Sequence, residues 1–177
     1  MRVLLLLALC ATAADAQPER RHRLVSAPLA ITLPADFETR DEAAVGETAL
    51  AAETSVQIFS RVGVDHSPNT YVIVETHRGL STLQRFLFRR GVGLQRQTPS
   101  IAFERIDLAR LPLAKALAAS AGSAFVATRE ADRSSVGVVV RGCEGEVCYA
   151  VMASGPSGPA ADGMTYAPLL AGLEVTD

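Results

Sequence analysis

The middle of the chain carries two runs in which apolar and polar residues follow the period of β-strands. The runs SVQIFSRV and YVIVETH are rich in the β-branched and aromatic residues that strands favour. The linking GVDHSPN contains glycine, aspartate, proline and asparagine, which are typical of turns. The pattern therefore predicts a β-hairpin. Further strands are expected in LVSAPLAITLPADFE, SIAFERIDLARL, SAFVATREAD, SSVGVVVRG and VCYAVMAS.

One segment has a helical period instead. In LSTLQRFLFRRG, three leucines recur at helical spacing, Ser81 can cap the start and Gly91 can end the helix. The segment MTYAPLLAGLEV predicts a short closing helix and a last strand. Residues 113–121, LAKALAASA, are ambiguous, because alanine favours a helix whereas strands flank the segment closely.

The segment RGCEGEVCYAV places Cys143 and Cys148 on either side of a turn signal. If the two cysteines face each other across a hairpin, Arg141 pairs with Ala150. One face then carries residues that can be core, namely Val138, Val140, Tyr149, Val151 and Ala153. A zinc site needs about four ligands, and a redox pair usually reads C-x-x-C. A structural disulfide is therefore favoured over a metal clamp or a reactive pair.

The start of the chain has the pattern of a secretory signal peptide over residues 1–16. A positive Arg2 precedes an apolar run, and Ala14-Asp15-Ala16 is a small-x-small cleavage site before Gln17. Lipidation at Cys10 is the rival interpretation, but Leu9 stands where that cleavage needs a small residue. The expected mature protein is periplasmic or secreted, has no membrane span, and keeps two cysteines in an oxidising compartment.

Composition excludes some partners. The formal net charge is -2, with 17 basic and 19 acidic residues, so no strong field points to nucleic acid. Tryptophan is absent, which disfavours a stacking platform for bases or sugars. Residues 17–23, QPERRHR, are polar and are expected to form a flexible tail.

Residues 24–177 are expected to form a single α+β domain, an antiparallel β-sheet with helices packed on it, stapled by one hairpin disulfide. ITLPADF, then YVIVETHRGLSTLQRFLFRRG as strand and helix, and a late hairpin followed by YAPLLAGLEV give an order of elements that resembles the PsbP-like superfamily. That superfamily includes the DcrB-like proteins of bacterial envelopes. The resemblance spans residues 24–176 and implies a sheet between helical layers, generally without enzymatic activity. No functional residue carries over.

Two candidate sites remain. Asp65, His66, Glu75 and His77 lie close enough in sequence to form a metal site if the loop folds back, although such residues more often serve the turn or face solvent. Arg85, Arg89, Arg90 and Arg96 form a basic cluster that is either an anion-binding patch or the solvent-facing side of an amphipathic helix.

The sequence contains no signature of a reaction, and we expect no cofactor. The leading hypothesis is an exported, non-catalytic binding or envelope-maintenance protein whose partner is an envelope protein or a small ligand. The alternative is a secreted hydrolase or metal-binding protein whose site is assembled from distant residues such as His66, Glu75 and His77.

Overall fold

Most of the described chain is antiparallel β-sheet. The structure, a computed structural model, describes residues 18–24, 27–45, 53–61, 69–94, 100–133, 135–158 and 162–176. Within these ranges the ten strands are β1 (Glu19–Arg23), β2 (Leu29–Pro34), β3 (Glu38–Val45), β4 (Glu53–Arg61), β5 (Thr70–Arg78), β6 (Ile101–Ile106), β7 (Ala121–Arg129), β8 (Ser135–Glu144), β9 (Val147–Pro156) and β10 (Leu173–Val175).

Helices are few and short in the same ranges. They are α1 (Thr82–Arg89), a 3₁₀ turn (Leu108–Arg110), α2 (Lys115–Ser120) and a closing 3₁₀ helix (Gly163–Leu170). Most of the ambiguous segment 113–121 is therefore helix, over Lys115–Ser120, and its last residue, Ala121, begins the next strand. The fold is more sheet-rich than the α+β expectation, because the helices occupy only short connections between long strands.

The strands form two sheets. Seven pair in the order β3-β4-β5-β9-β8-β7-β6, and three in the order β1-β2-β10. The predicted hairpin is present, since β4 pairs with β5 from Glu53 opposite Arg78 to Arg61 opposite Thr70. The small sheet, α2 and the closing 3₁₀ helix contribute to the main core on one face of the large sheet. Helix α1 contacts β7, β8 and β9 from the other face.

The N-terminal segment differs from its expectation. Residues 17–23 were expected to form a flexible tail, but Glu19–Arg23 form β1 and pair with β2. The His22 ring packs against Phe59 in a tilted contact with centroids 4.9 Å apart, and Arg21 forms an ion pair with Glu174 at 2.6 Å. The polar composition misled because an edge strand exposes most of its side chains while its backbone still completes a sheet.

The cysteine hairpin has the predicted register. Cys143 lies opposite Cys148 and Arg141 lies opposite Ala150. All of the residues assigned to the core face are at 0% exposure, namely Val138, Val140, Tyr149, Val151 and Ala153. The buried Tyr149 hydroxyl lies 2.7 Å from Ser120 Oγ at the end of α2, which supplies the partner that a buried hydroxyl requires.

Several predictions fall outside the described residues. These are the signal peptide at 1–16 with its Ala16/Gln17 cleavage site, the lipidation alternative at Cys10, and the positions of Asp65, His66 and Arg96. Of the helices that the structure describes, none has the length and apolar character needed to cross a bilayer.

Candidate functional site

Helix α1 is defined at both ends by local hydrogen bonds. At its start Ser81 and Gln84 form a capping box, in which Ser81 Oγ accepts from the Gln84 amide at 3.3 Å and Gln84 Oε1 accepts from the Ser81 amide at 2.8 Å. At its end Gly91 takes a φ of 72°. The Gly91 amide donates to Phe88 O and the Val92 amide to Leu87 O, the pattern of a Schellman motif. Both predicted boundaries are confirmed.

The contact of α1 with the sheet is narrow. Leu80, Phe88 and Cys148 form a small buried cluster under the helix. A side chain at Gly122 of β7 would place its Cβ 2.6 Å from Arg89 Cβ, so the glycine allows the helix to lie close to the strand. A short helix seated in this way buries only one edge of its surface.

The remaining surface of α1 exposes large apolar side chains. Leu83 is 66% exposed, Phe86 55%, Leu87 36% and Val92 58%. Together these four residues are hereafter the apolar patch. The leucine spacing predicts the helix correctly, but of the leucines that carry it only Leu80 is buried. Contiguous exposed apolar side chains usually mark an interaction surface.

Arginines lie beside Phe86, on one side of the apolar patch. Arg89 and Arg90 are exposed, and Arg85 is partly exposed and donates from Nη1 to the Gly145 carbonyl at 3.2 Å. The Arg90 guanidinium lies 5.1 Å from the centroid of the Phe86 ring. Of the predicted basic cluster, the structure thus brings Arg85, Arg89 and Arg90 together beside Phe86. They line an open groove of about 470 Å³ between α1 and the cysteine hairpin.

Two residues of the metal hypothesis, Glu75 and His77, lie in contact with each other. His77 Nε2 lies 3.2 Å from Glu75 Oε1, and His77 Nδ1 lies 3.1 Å from Thr54 Oγ1. The hydrogen bond to His77 holds the pKa of Glu75 below its ordinary value, and burial opposes that shift. Among the described residues no three potential ligands come together, and His66 lies outside them.

The same contacts bear on the hydrolase hypothesis. A hydroxyl that contacts an imidazole, which in turn contacts a carboxylate, is the arrangement that activates a nucleophile. Here, however, Thr54 is 3% exposed and His77 is 5% exposed. The Phe88 ring of α1 covers the imidazole, with ring centroids 5.0 Å apart. A substrate cannot reach this hydroxyl while α1 lies on the sheet.

Arg141 is the residue that the sequence analysis did not single out. It is 3% exposed on the α1 face, and its guanidinium carbon lies 3.7 Å from the centroid of the Phe88 ring. Burial lowers the pKa of Arg141 to about 10, and the charge of Glu75 opposes this shift. Arg141 therefore stays protonated at neutral pH. The sequence signal that could have identified Arg141 is its place in the valine-rich run SSVGVVVRG, where its strand neighbours are buried.

The two cysteines form a disulfide with Cα atoms 3.9 Å apart. This distance is shorter than the usual range of about 4.4 to 6.8 Å and well within bridging reach. Cys148 is fully buried and Cys143 partly so, beside Leu80 and Phe88. The bond ties β8 to β9 directly below α1, and it suits an oxidising, exported environment.

Comparison with known proteins adds no further constraint. No protein-family model matches the chain, and no curated protein matches it. The resemblance to the PsbP-like superfamily therefore stays a prediction that rests on the order of elements.

Proposed function

We propose that the chain is an exported, non-catalytic binding protein that docks on an anionic phospholipid surface through α1 and the turn that follows it. The single observation that carries the proposal is the apolar patch, exposed and flanked by arginines. In this proposal residues 1–16 direct export and are removed before Gln17, so the mature protein is periplasmic or secreted. Mass spectrometry of the exported form tests this step, and a lipidated Cys10 would contradict it.

The chemistry of the patch matches a lipid–water interface. Helices that lie in such an interface place large apolar side chains among the acyl chains and basic side chains at the headgroups. Leu83, Phe86 and Val92 are each more than half exposed, so they can enter the interface without unfolding the helix. Each arginine near an anionic surface contributes about 1 kcal/mol of attraction. Arg85, Arg89 and Arg90 would together contribute about 3 kcal/mol.

Other envelope partners fit the surface less well. A polysaccharide such as peptidoglycan offers hydroxyl and amide groups, which gain little from contact with leucine and valine side chains. The chain also has no tryptophan with which to stack on a sugar ring. An acidic protein would satisfy the arginines, and this outcome is kept distinct in the test below. The proposal includes the resemblance to the PsbP-like superfamily, whose members place helices on both sides of a sheet and generally lack enzymatic activity.

The test is co-sedimentation of the mature chain with vesicles. We expect binding to vesicles that contain phosphatidylglycerol and little binding to pure phosphatidylcholine. Binding should weaken in ~1 M salt, where the Debye length falls to about 3 Å. The triple variant Arg85→Gln, Arg89→Gln, Arg90→Gln should lower the partition coefficient roughly a hundredfold, the equivalent of about 3 kcal/mol.

A matched variant controls for net charge. Arg20 and Arg23 on β1 and Arg110 on the 3₁₀ turn are exposed. Both elements belong to the side of the large sheet that faces the main core, opposite α1. Changing these three to glutamine removes the same charge and should leave vesicle binding near that of the natural chain. Equal losses in the two triple variants would contradict docking through α1. Absence of vesicle binding together with capture of an acidic envelope protein would replace the lipid by a protein partner.

The alternative function, a secreted hydrolase or metal-binding protein, is favoured by one observation, the contact of His77 with Glu75 and Thr54. Metal analysis of the purified chain separates the two proposals. Stoichiometric zinc or copper that is lost in His77→Ala or His66→Ala would replace the binding proposal by this one.

A further inference from the structure

A second cavity lies beneath α1, on the side away from the arginine groove. Its volume is about 120 Å³, and its walls include Leu80, Leu87, Phe88 and Val92. Arg141 and His77 supply polar groups at the sheet surface. The cavity thus combines an apolar wall from the helix with a buried cation from β8.

The charge of Arg141 is poorly compensated in this place. Its Nε and Nη1 atoms are buried, and they have no hydrogen-bond partner among the residues that the structure describes. The Phe88 ring covers one face of the guanidinium. The N–H groups point outward from the edge of the guanidinium plane, however, and the ring does not accept hydrogen bonds from them. Glu75 acts on Arg141 only as a nearby charge, and its carboxylate is half exposed and hydrogen-bonded to His77.

Buried arginine donors are satisfied in nearly all proteins, most strongly by a carboxylate or phosphate that accepts two parallel hydrogen bonds. The volume of the cavity favours a carboxylate over the larger phosphate group. A volume of about 120 Å³ is about that of four waters at ~30 Å³ each, which matches a carboxylate group and one or two carbon atoms.

We propose that this cavity is a binding site for a small monocarboxylate with a short unbranched tail. The carboxylate pairs with Arg141, and the tail leaves between Leu87 and Val92, which are 36% and 58% exposed. The Nε and Nη1 atoms of Arg141 are closed to water in this structure, so the proposal requires α1 to move slightly outward as the ligand enters. The site lies beneath the lipid-docking surface and shares Leu87 and Val92 with the apolar patch.

The test uses soluble acids and no membrane, so its outcome is independent of vesicle binding. Acetate, butyrate and hexanoate are titrated into the mature chain at constant ionic strength, and the Arg141 Nε–H resonance is followed by NMR. We expect saturable shifts, with affinity rising about fourfold for each methylene that becomes buried. Butyramide, which has the shape of butyrate without the charge, should bind at least tenfold more weakly.

Two variants locate the site. Arg141→Met should abolish butyrate binding by calorimetry and still fold, because a buried charge can often be replaced by an apolar side chain of similar volume. Val92→Trp keeps the arginine and blocks the exit at an exposed position, so it should weaken hexanoate binding tenfold or more. Arg105→Met is the matched control and should bind normally.

Three results would overturn the proposal. The first is the absence of a saturable shift with all three acids. The second is equal binding of butyrate and butyramide. The third is unchanged butyrate affinity in a folded Arg141→Met variant, or unchanged hexanoate affinity in a folded Val92→Trp variant.

Discussion

The two faces of the seven-stranded sheet are built on different principles. One face carries Tyr149, Val151 and their neighbours, all fully buried beneath the small sheet, α2 and the closing 3₁₀ helix. The other face carries His77, Glu75 and Arg141, and α1 covers only part of it. On the first face the Tyr149 hydroxyl is hydrogen-bonded to Ser120. On the second face Nε and Nη1 of Arg141 have no hydrogen-bond partner among the described residues.

From this difference we infer that the first face serves the stability of the fold and that the second carries the function. A face that is apolar and closely packed, and whose buried Tyr149 hydroxyl has a partner, can be explained by folding alone. A face with a buried cation, a network of polar groups and a helix that exposes its large apolar side chains is costly for folding alone, and such local conflicts concentrate at functional sites. The α1 face is therefore where we place the function.

The largest expected effect compares one leucine on each side. Leu33 of β2 is 0% exposed in the main core, and Leu83 of α1 is 66% exposed. Leu33→Ala should lower the free energy of unfolding by about 2 to 5 kcal/mol, because it leaves a cavity. Leu83→Ala should change it by less than about 0.5 kcal/mol. Urea denaturation measures both, and equal losses would contradict the division into two faces.

The next effect concerns the bond beneath α1. The double variant Cys143→Ser, Cys148→Ser should lose about 2 kcal/mol, the chain-entropy value for so short a loop. Thermal unfolding should show a midpoint lower by several degrees, with vesicle binding intact. A variant that kept its midpoint but lost vesicle binding would make the cysteine pair a functional element instead of a staple.

A smaller loss is expected where α1 touches β7. Gly122→Ala places a Cβ 2.6 Å from the Arg89 backbone oxygen and Cβ, so α1 must shift. We expect a cost of about 1 to 2 kcal/mol by chemical denaturation, in the lower part of the range for overpacking. Gly158→Ala is the matched control, because nothing lies within 4 Å of its added Cβ. An unaffected Gly122→Ala variant would mean that α1 is not held against the strand.

The smallest effect is a pH dependence on the α1 face. The folded pKa of Glu75 is lowered by its bond to His77, so the ionised carboxylate stabilises the fold above the unfolded pKa of about 4.5. This contribution is lost as the pH falls through the folded pKa. Glu75→Gln should therefore be less stable than the natural chain above pH ~4.5, by about 0.2 to 1 kcal/mol, because the Glu75 side chain is 45% exposed to solvent.

The two stability curves should converge in more acidic solution. Glu104→Gln, which removes an exposed carboxylate of β6, controls for the loss of one negative charge. A gap between the natural chain and Glu75→Gln that widened with acidification would show the sign to be wrong.

Sequence periodicity predicted which residues are buried better on the face that packs in the main core than on the α1 face. The register of the cysteine hairpin follows from two cysteines and a turn, and all five residues that it assigns to the core face, from Val138 to Ala153, are fully buried. The boundaries of α1 follow equally from Ser81 and Gly91. These features depend on neighbours in sequence, so a local pattern suffices to find them.

Features that depend on distant neighbours were missed. The strand β1 exists because β2 offers a free edge, and no residue within QPERRHR signals it. Which side of α1 is buried depends on Gly122 and Cys148 far along the chain, so leucine spacing could not reveal that Leu83 and Leu87 are exposed. The contact of Arg141 with Phe88 joins residues that lie on β8 and α1.

The proposed entry of α1 into an anionic lipid interface can be measured directly, because the chain contains no tryptophan. Phe86→Trp places a single fluorophore in the apolar patch. Tyr71→Trp places one at the opposite end of β5, six residues from His77 and thus about 20 Å away, at a position that is 36% exposed.

Addition of phosphatidylglycerol vesicles should shift the emission of the Phe86→Trp variant to the blue, and lipids brominated on their acyl chains should quench it. The Tyr71→Trp variant should show neither change, and pure phosphatidylcholine should affect neither variant. Equal responses of the two variants, or no response of the Phe86→Trp variant to anionic vesicles, would contradict the account.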